Sequence, residues 1–538
     1  MKGFYDKVSQ ILQELAINDY GLELEHPLWE LPKSKEHGDL SSMVALKIAS
    51  QIKKDPLAIA SEIKTRLEEK LSGWVQSIEI LRPGFINLFL SRDILINSLN
   101  EIISGGDKFF RSQLDKKVLI EFLSANPTGP LSIAHGRQAV VGDCLANVLE
   151  FFGNAVSREY YVNNAGRQIE LLVLSVKAWL GAKKGKRPEI PEGGYQGEYL
   201  KDIAGFISAN KDYRKDPQKF DLEKFVIKYI LDEFIKKDLK ALGIKFDNWF
   251  SQKKLLAAGK VEAMIDYLKE KGLVFEKDGA LWFLASRFGD DKDRVIRKAD
   301  GELTYFASDI AYHHDKIKRG SSELINLWGP DHHGYIQRVK SAISALGYDQ
   351  SLLKVIIIQL VTLKTKERMS KRAGTFILLS DLVKDIGKDA ARFYYLMRKN
   401  SSHLEFDIDL AKATSFDNPL YYIQYVCARI ESIFKKAKAL PFDPKYSLLL
   451  KDQEELNLLR SLLQFSYCLE KSYYTLEPVF IIEFLKNLAA NFHKFYEKVR
   501  VIDDDQNITQ SRLNLLRAVR IVFHCGLILL GITPAKKM

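Results

Sequence analysis

The stretch that decides the fold is KVLIEFLSANPTGPLSIAHGRQAVVGD, residues 117–143. Its first seven residues are an apolar run of strand length, and Pro127, Gly129 and Pro130 then break it. Apolar periodicity resumes three to four residues apart from Ile133 onward, as a helix requires. A strand, a tight turn and a helix mouth therefore follow one another. The first N–H groups of a helix and its dipole favour an anion, so a phosphate is the natural ligand for such a turn, and His135 stands where it can donate a hydrogen bond to one. Taken alone, the stretch reads equally well as a proline-rich turn carrying an incidental histidine. It also leaves Arg137 at the helix mouth to be explained.

Outward from this unit the same texture continues. AVVGDCLANVLEFFG (139–153) reads as helix, AVSREYYVN (155–163) as strand, and a further helix follows. Such alternation predicts a doubly wound parallel sheet of Rossmann-like type, with its ligand beyond the carboxyl ends of the strands. The rhythm breaks from about 183 to 298, where GAKKGKRPEIPEGGYQGEY and long charged helices predict an insertion between the two halves of the sheet. It resumes at LINLWG (324–329) and KVIIIQLVTL (354–363). Upstream, helical patterns such as DPLAIASEIKTRLEEKL alternate with the strand candidates VQSIEIL and FINLFLS, split by Pro83-Gly84. After Asp389 only helical periodicity is legible. The expected organisation is an N-terminal α+β domain over 1–112, an α/β domain over 113–388 and an all-α domain over 389–538.

Composition agrees with several domains. The 538 residues are 46% hydrophobic and 28% charged, as in ordinary globular proteins. Eighty Lys and Arg against 69 Asp and Glu give a net charge of +11, compatible with a polyanionic partner but weak evidence alone. The amino terminus mixes charges into an amphipathic helix without the apolar core of a signal peptide. AVRIVFHCGLILLGI (518–532) is too short for a membrane span and is interrupted by His524. A cytoplasmic location without membrane contact is expected. Cys144, Cys427, Cys468 and Cys525 lack metal or disulfide spacing, which favours buried thiols. The pairs His313-His314 and His332-His333 diverge on a helix, so no protein-bound zinc is expected.

A second stretch carries chemistry. KTKERMSKRAGTFILLSDLV (364–383) crowds Lys364, Lys366, Arg368, Lys371 and Arg372 around Gly374. Basic side chains on such a loop can neutralise the charge developing on a leaving pyrophosphate. By itself the loop reads as a solvated charge run. Together, SIAH (132–135) and RMSKR (368–372) resemble the HIGH and KMSKS signature pair of class I aminoacyl-tRNA synthetases. Within that class, SANPTGP, REYYVNNAGRQ, GDDKDRVIRKADGELTYFASDIAYHHDK, WGPDHHGYIQRVK and NPLYYIQYVCARI resemble the bacterial arginyl-tRNA synthetases, as do HGDLSSMVALKIA, RPGFINLFL and the terminal LGITPAKKM.

The resemblance implies an ATP-dependent ligase that forms arginyl-adenylate, releases pyrophosphate and passes arginine to the 2′-hydroxyl of its tRNA. It assigns ATP to Thr128, Gly129, Pro130, Ser132, Ala134, His135, Met369, Ser370 and Lys371, with His135, Arg368, Lys371 and Arg372 stabilising the transition state. It assigns arginine to Glu121, Ser124, Asn126, Tyr305, Asp309, Asp331 and His332. The chemistry agrees, because a guanidinium calls for carboxylates that accept paired hydrogen bonds, and Tyr305 and Asp309 share a helical face at i, i+4. Mg²⁺ is expected to enter with the ATP phosphates rather than in a protein cage. The other partners expected are the tRNA for arginine, whose anticodon loop suits the aromatic and basic C-terminal helices, and no second copy of the chain.

Two departures stand out. Ser132 brings no positive charge where the family's box has a histidine, and Ala134 adds a methyl where the box has glycine. A catalytically silent RNA-binding paralogue is the alternative these two residues raise. A class I enzyme for cysteine or glutamate is the other; the first would want a thiolate metal site and the second cations around its substrate.

Overall fold

The computed structural model describes residues 2–26, 28–32, 34–182, 188–364, 377–437 and 441–538. Arg368, Met369, Ser370, Lys371 and Arg372 lie outside them, as do Lys366 and Gly374. The chain forms two compact units, one of residues 114–146 and 154–408, the other of residues 1–113, 147–153 and 409–538.

In the second of these, strands β1 (Leu40–Ser42), β2 (Val75–Leu81) and β3 (Phe85–Leu90) make an antiparallel sheet in the order β1-β3-β2. The helix Arg92–Gly105 buries Leu95, Ile96, Leu99 and Ile102. The long helices Gln453–Thr475, Val479–Lys498 and Gln506–Leu529 form the C-terminal part; the first begins in a capping box made by Asp452 and Glu455. Phe110 meets Phe465 edge-on at 5.0 Å, and Arg92 donates to the carbonyls of Leu448 and Leu450. The two ends of the chain, which a local reading separates into flanking domains, thus share one compact unit, because each buries an apolar face that the other completes. All four cysteines are buried and free. No described helix is long and apolar enough to cross a membrane.

The other unit is built on a parallel sheet of β4 (Lys117–Glu121), β5 (Ala155–Val162), β6 (Asn248–Ser251), β10 (Glu323–Trp328) and β11 (Leu353–Ile357), ordered β11-β10-β4-β5-β6. The chain leaves β4 toward β5 and β6, then returns to place β10 on the other flank of β4. The switch point therefore falls between β4 and β10, where a crevice for ligand opens in folds of this kind. Leu119, Leu324 and Leu353 pack with Val339 and Ile343 beneath it. Each such buried aliphatic contributes about 1.5–3 kcal/mol relative to exposure.

Two elements differ from the sequence reading. β6 joins the main sheet from within the segment 183–298, so that segment is not wholly an insertion. β13 (Leu404–Phe406) pairs in parallel with β12 (Val361–Leu363), so residues past 389 are not wholly helical. Strands of four and three residues next to charged or polar runs are too short to set up a period. The rest of the segment adds an antiparallel sheet of β7 (Val274–Lys277), β8 (Ala280–Phe283) and β9 (Arg294–Arg297). Its Leu281, Phe283 and Ile296 share a core with Phe306 and Ile310 of the helix Tyr305–Lys318 and fix that helix against the sheet.

Close packing also governs the helix Ile133–Phe151. Gly142 lies so near Phe122 that a Cβ would overlap the ring. Gly142→Ala is expected to destabilise this unit by about 1–3 kcal/mol through overpacking, despite alanine's better helix propensity, and the midpoint of urea unfolding reads the loss.

Candidate active site

At the exit of β4 the backbone makes an unusual turn. Leu123 and Ser124 have φ of 69° and 39° in the left-handed region, although neither is glycine. Such conformations cost about 1–3 kcal/mol each and persist only where neighbours over-determine them. Here the Ser124 hydroxyl donates to Glu121 Oε1 at 3.0 Å and accepts from the Tyr161 amide at 3.0 Å, while Tyr160 donates to the Ala125 carbonyl at 2.6 Å. The turn thereby folds Ser124 back over the carboxylate that ends the strand.

Beyond the ends of β4 and β10 lies a cavity of about 650 Å³. It brings together Glu121, Ser124, Asn126, Tyr305, Asp309, Asp331, His332 and His135. Glu121 is buried and register-paired with Asn326 on one side and Glu159 on the other. Asn126 is held by Gln168, 2.7 Å from its amide, and by Asn163, 3.1 Å from its carbonyl oxygen. Tyr305 is 60% exposed and stands at the rim, as does the exposed pair Asp331 and His332, in contact at 3.2 Å. Asp309 accepts a 2.5 Å hydrogen bond from Tyr335. Burial, with Glu121 nearby, pushes its carboxyl up to about 6 despite that bond.

Several lining groups escape a reading of the sequence. Tyr161 and Tyr312 pack with ring centres 4.6 Å apart and planes tilted by 42° along one wall, and Tyr335 stands beside Asp309. Tyr312 lies three residues after Asp309 on the same helix, and Gln138 three after His135, a spacing that could have identified both. His313 has a partner on each ring nitrogen. Its Nδ1 lies 2.8 Å from the Asp309 carbonyl and its Nε2 3.0 Å from the Asn326 amide. Burial, together with Lys316, drives it down to about 3, so the ring is neutral. Among the described residues no group of three or more His, Cys, Asp or Glu is placed to hold a metal ion.

The turn that opens the helix Ile133–Phe151 brings His135 to the same cavity. His135 Nδ1 is 3.0 Å from the Ser132 amide and 3.1 Å from its hydroxyl. An amide can only donate, so Nδ1 accepts and the neutral ring carries its proton on Nε2. Burial lowers the pKa of His135, which favours this neutral form. Ser132 therefore aims the one histidine of the box. Thr128 and Gly129 are covered by Tyr199, which donates to the Thr128 carbonyl at 2.5 Å and leaves no room for a Cβ at Gly129 without a shift. Pro130 is half-buried, and Ala134 is exposed.

Arg137 is not part of the cavity lining. It is fully buried and donates to the carbonyls of Gln359, Ser402 and Lys399 at 2.9, 2.7 and 2.8 Å. On the same turn, Ile133 donates to the Ile377 carbonyl and Leu379 to that of Leu131. The helix mouth is thus bonded to the chain that precedes residue 364 and to the chain that resumes at residue 377.

Comparisons with known proteins give one answer along the whole chain. Residues 98–414 match the family model described as tRNA synthetases class I (R), catalytic domain. Residues 4–90 match the arginyl tRNA synthetase N terminal domain, and 423–538 the DALR anticodon binding domain. The arginine–tRNA ligase of Carboxydothermus hydrogenoformans is 43% identical over 99% of this chain and 98% of its own. That of Thermotoga maritima is 41% identical over 99% of each. Among solved structures, the arginyl-tRNA synthetase of Thermus thermophilus superposes with a TM-score of 0.78 at 19% identity, over 99% of this chain and 100% of that one.

Proposed function

The chain belongs to the arginyl-tRNA synthetases of class I, and from that premise we propose that the cavity beyond β4 and β10 holds arginine beside ATP and joins them as arginyl-adenylate for transfer to tRNA. The observation that carries the reading is the pair Glu121 and Asp309, two carboxylates on one cavity with tyrosine walls. A guanidinium offers five donors in a plane and takes paired bonds from such groups. A glutamate substrate would be repelled there.

In this reading Ser124 and Asn126 hold the amino and carboxylate ends of arginine. The carboxylate attacks the α-phosphorus of ATP, and pyrophosphate leaves. His135, neutral and donating from Nε2, stabilises the charge that builds on phosphate oxygens, with Arg368, Lys371 and Arg372 as its cationic partners. Turn residues 128–134 and the pair Met369-Ser370 complete the nucleotide site, and Asp331 and His332 close the arginine side. Mg²⁺ comes bound to the nucleotide phosphates. In this reading the enzyme acts as a monomer in the cytoplasm, where its substrates are found. The division of labour follows the chain, with tRNA contacts at residues 1–112 and 389–538 and chemistry at 113–388. Ser132 and Ala134 do not favour a silent paralogue, since a mere RNA binder needs no paired carboxylates and Ser132 serves His135.

Arginine-dependent exchange of pyrophosphate into ATP, run with and without tRNA and followed by charging assays, tests the reading. Exchange and charging with arginine above all other amino acids are expected, and their absence in every condition overturns it. The pH dependence is a sharper check. Below about pH 6 Asp309 binds a proton and loses its charge, so arginine KM is expected to rise about tenfold between pH 7 and pH 5.

A further inference from the structure

We propose that Lys316 is a specificity-determining residue: by filling an ammonium cradle at the inner wall of the cavity with the protein's own ammonium, it denies that cradle to lysine and leaves the site to arginine. The proposal rests on the reading of the cavity as an arginine site. Lys316 stands two turns beyond Asp309 on the helix Tyr305–Lys318 and is 0% exposed. Its Nζ lies 2.5 Å from Glu121 Oε2, 3.0 Å from Asn326 Oδ1 and 4.3 Å from the centre of the Tyr312 ring. An ammonium has three N–H groups, and two oxygens and a π face receive them.

The orientation of the cradle is fixed. Asn326 cannot turn its amide over, because its nitrogen is engaged with His313 Nε2 and the other ring nitrogen of His313 with the Asp309 carbonyl. Glu121, Asn326, Tyr312 and His313 line the cavity, while Lys316 lies behind them. A substrate ammonium would seek several oxygens converging on a point, and Lys316 already occupies the place where such a set converges. A guanidinium has other needs. Its flat fork takes edge-on acceptors, and Glu121 Oε1, which also accepts from Ser124, and Asp309, which also accepts from Tyr335, have lone pairs left for it. Charge alone cannot separate the two amino acids, since each brings +1; the geometry of the acceptors does.

The test uses the full chain with tRNA present and two variants, Lys316→Met and Lys316→Gln. Glutamine keeps a donor for Glu121 and most of the side-chain length, so it tolerates the site should methionine fail to fold. Pyrophosphate exchange is measured with arginine and with lysine. The expected result is an arginine KM raised about tenfold with kcat within a few-fold, and a lysine kcat/KM raised about tenfold, so that the preference for arginine falls about a hundredfold. A folded variant that keeps the arginine-to-lysine ratio of the parent overturns the proposal, whatever its KM. So does the failure of both variants to fold, which would make Lys316 a purely structural counter-ion. A parent chain without arginine-dependent exchange would overturn the arginine reading instead.

Discussion

His135→Ala is expected to lower kcat for arginine activation by about 10²–10³-fold and to leave arginine KM within a few-fold. The reasoning begins with the tautomer. The Ser132 amide at 3.0 Å can only donate to Nδ1, so the single proton of the neutral ring sits on Nε2. Burial keeps the ring neutral, and a pre-oriented neutral donor costs no proton transfer when phosphate charge builds up. Losing such a donor removes an interaction made in the transition state, which is why kcat carries the effect and KM does not. Single-turnover adenylation is the direct measurement. Equal changes in kcat and KM would show that His135 holds the ground state instead. Ser132→His is expected to bring no gain, because the imidazole would displace the hydroxyl that lies 3.1 Å from His135 Nδ1.

Asp309→Asn should act on the other parameter, raising arginine KM by about 10²–10³-fold with a smaller change in kcat. The substitution keeps size and leaves an oxygen for Tyr335 but removes the charge. Truncating one member of a buried, hydrogen-bonded charge pair costs about 2–5 kcal/mol, most of it the cost of desolvating the guanidinium without a matching anion. The variant should also lose the rise in KM below pH 6, since the titrating group is gone. Calorimetric titration of arginine at pH 5 and pH 7 reads both effects. If the variant keeps the pH dependence of the parent, the proton binds elsewhere and Asp309 is not the titrating group.

How far the sequence discloses this site depends on where each residue sits. Glu121, Ser124, Asn126, Tyr305 and Asp309 are reached through the family resemblance; period and turn residues alone mark only the strand end and the helix on which they stand. Lys316 was not readable. In HHDKIKRG it is one lysine among other charges, and only the fold shows that this one turns inward to Glu121. Arg137 misleads in the opposite way, because its place at a helix mouth invites an anion while its side chain serves three carbonyls from residues 359–402. The left-handed pair Leu123-Ser124 is equally silent, for nothing in two ordinary side chains announces a positive φ.

The edge strand β6 bears on how the gene for such a chain can be shortened or diversified. Asn248 reaches Glu159 at 2.5 Å, and residues 248–251 satisfy the backbone of β5. Excision of 183–298 as a module would bare the flank of β5 and leave a ladder of open N–H and C=O groups, a template for aggregation. A viable deletion ends before residue 248, so modular exchange between relatives has its downstream boundary there, well short of the resumption of the parallel pattern at residue 324.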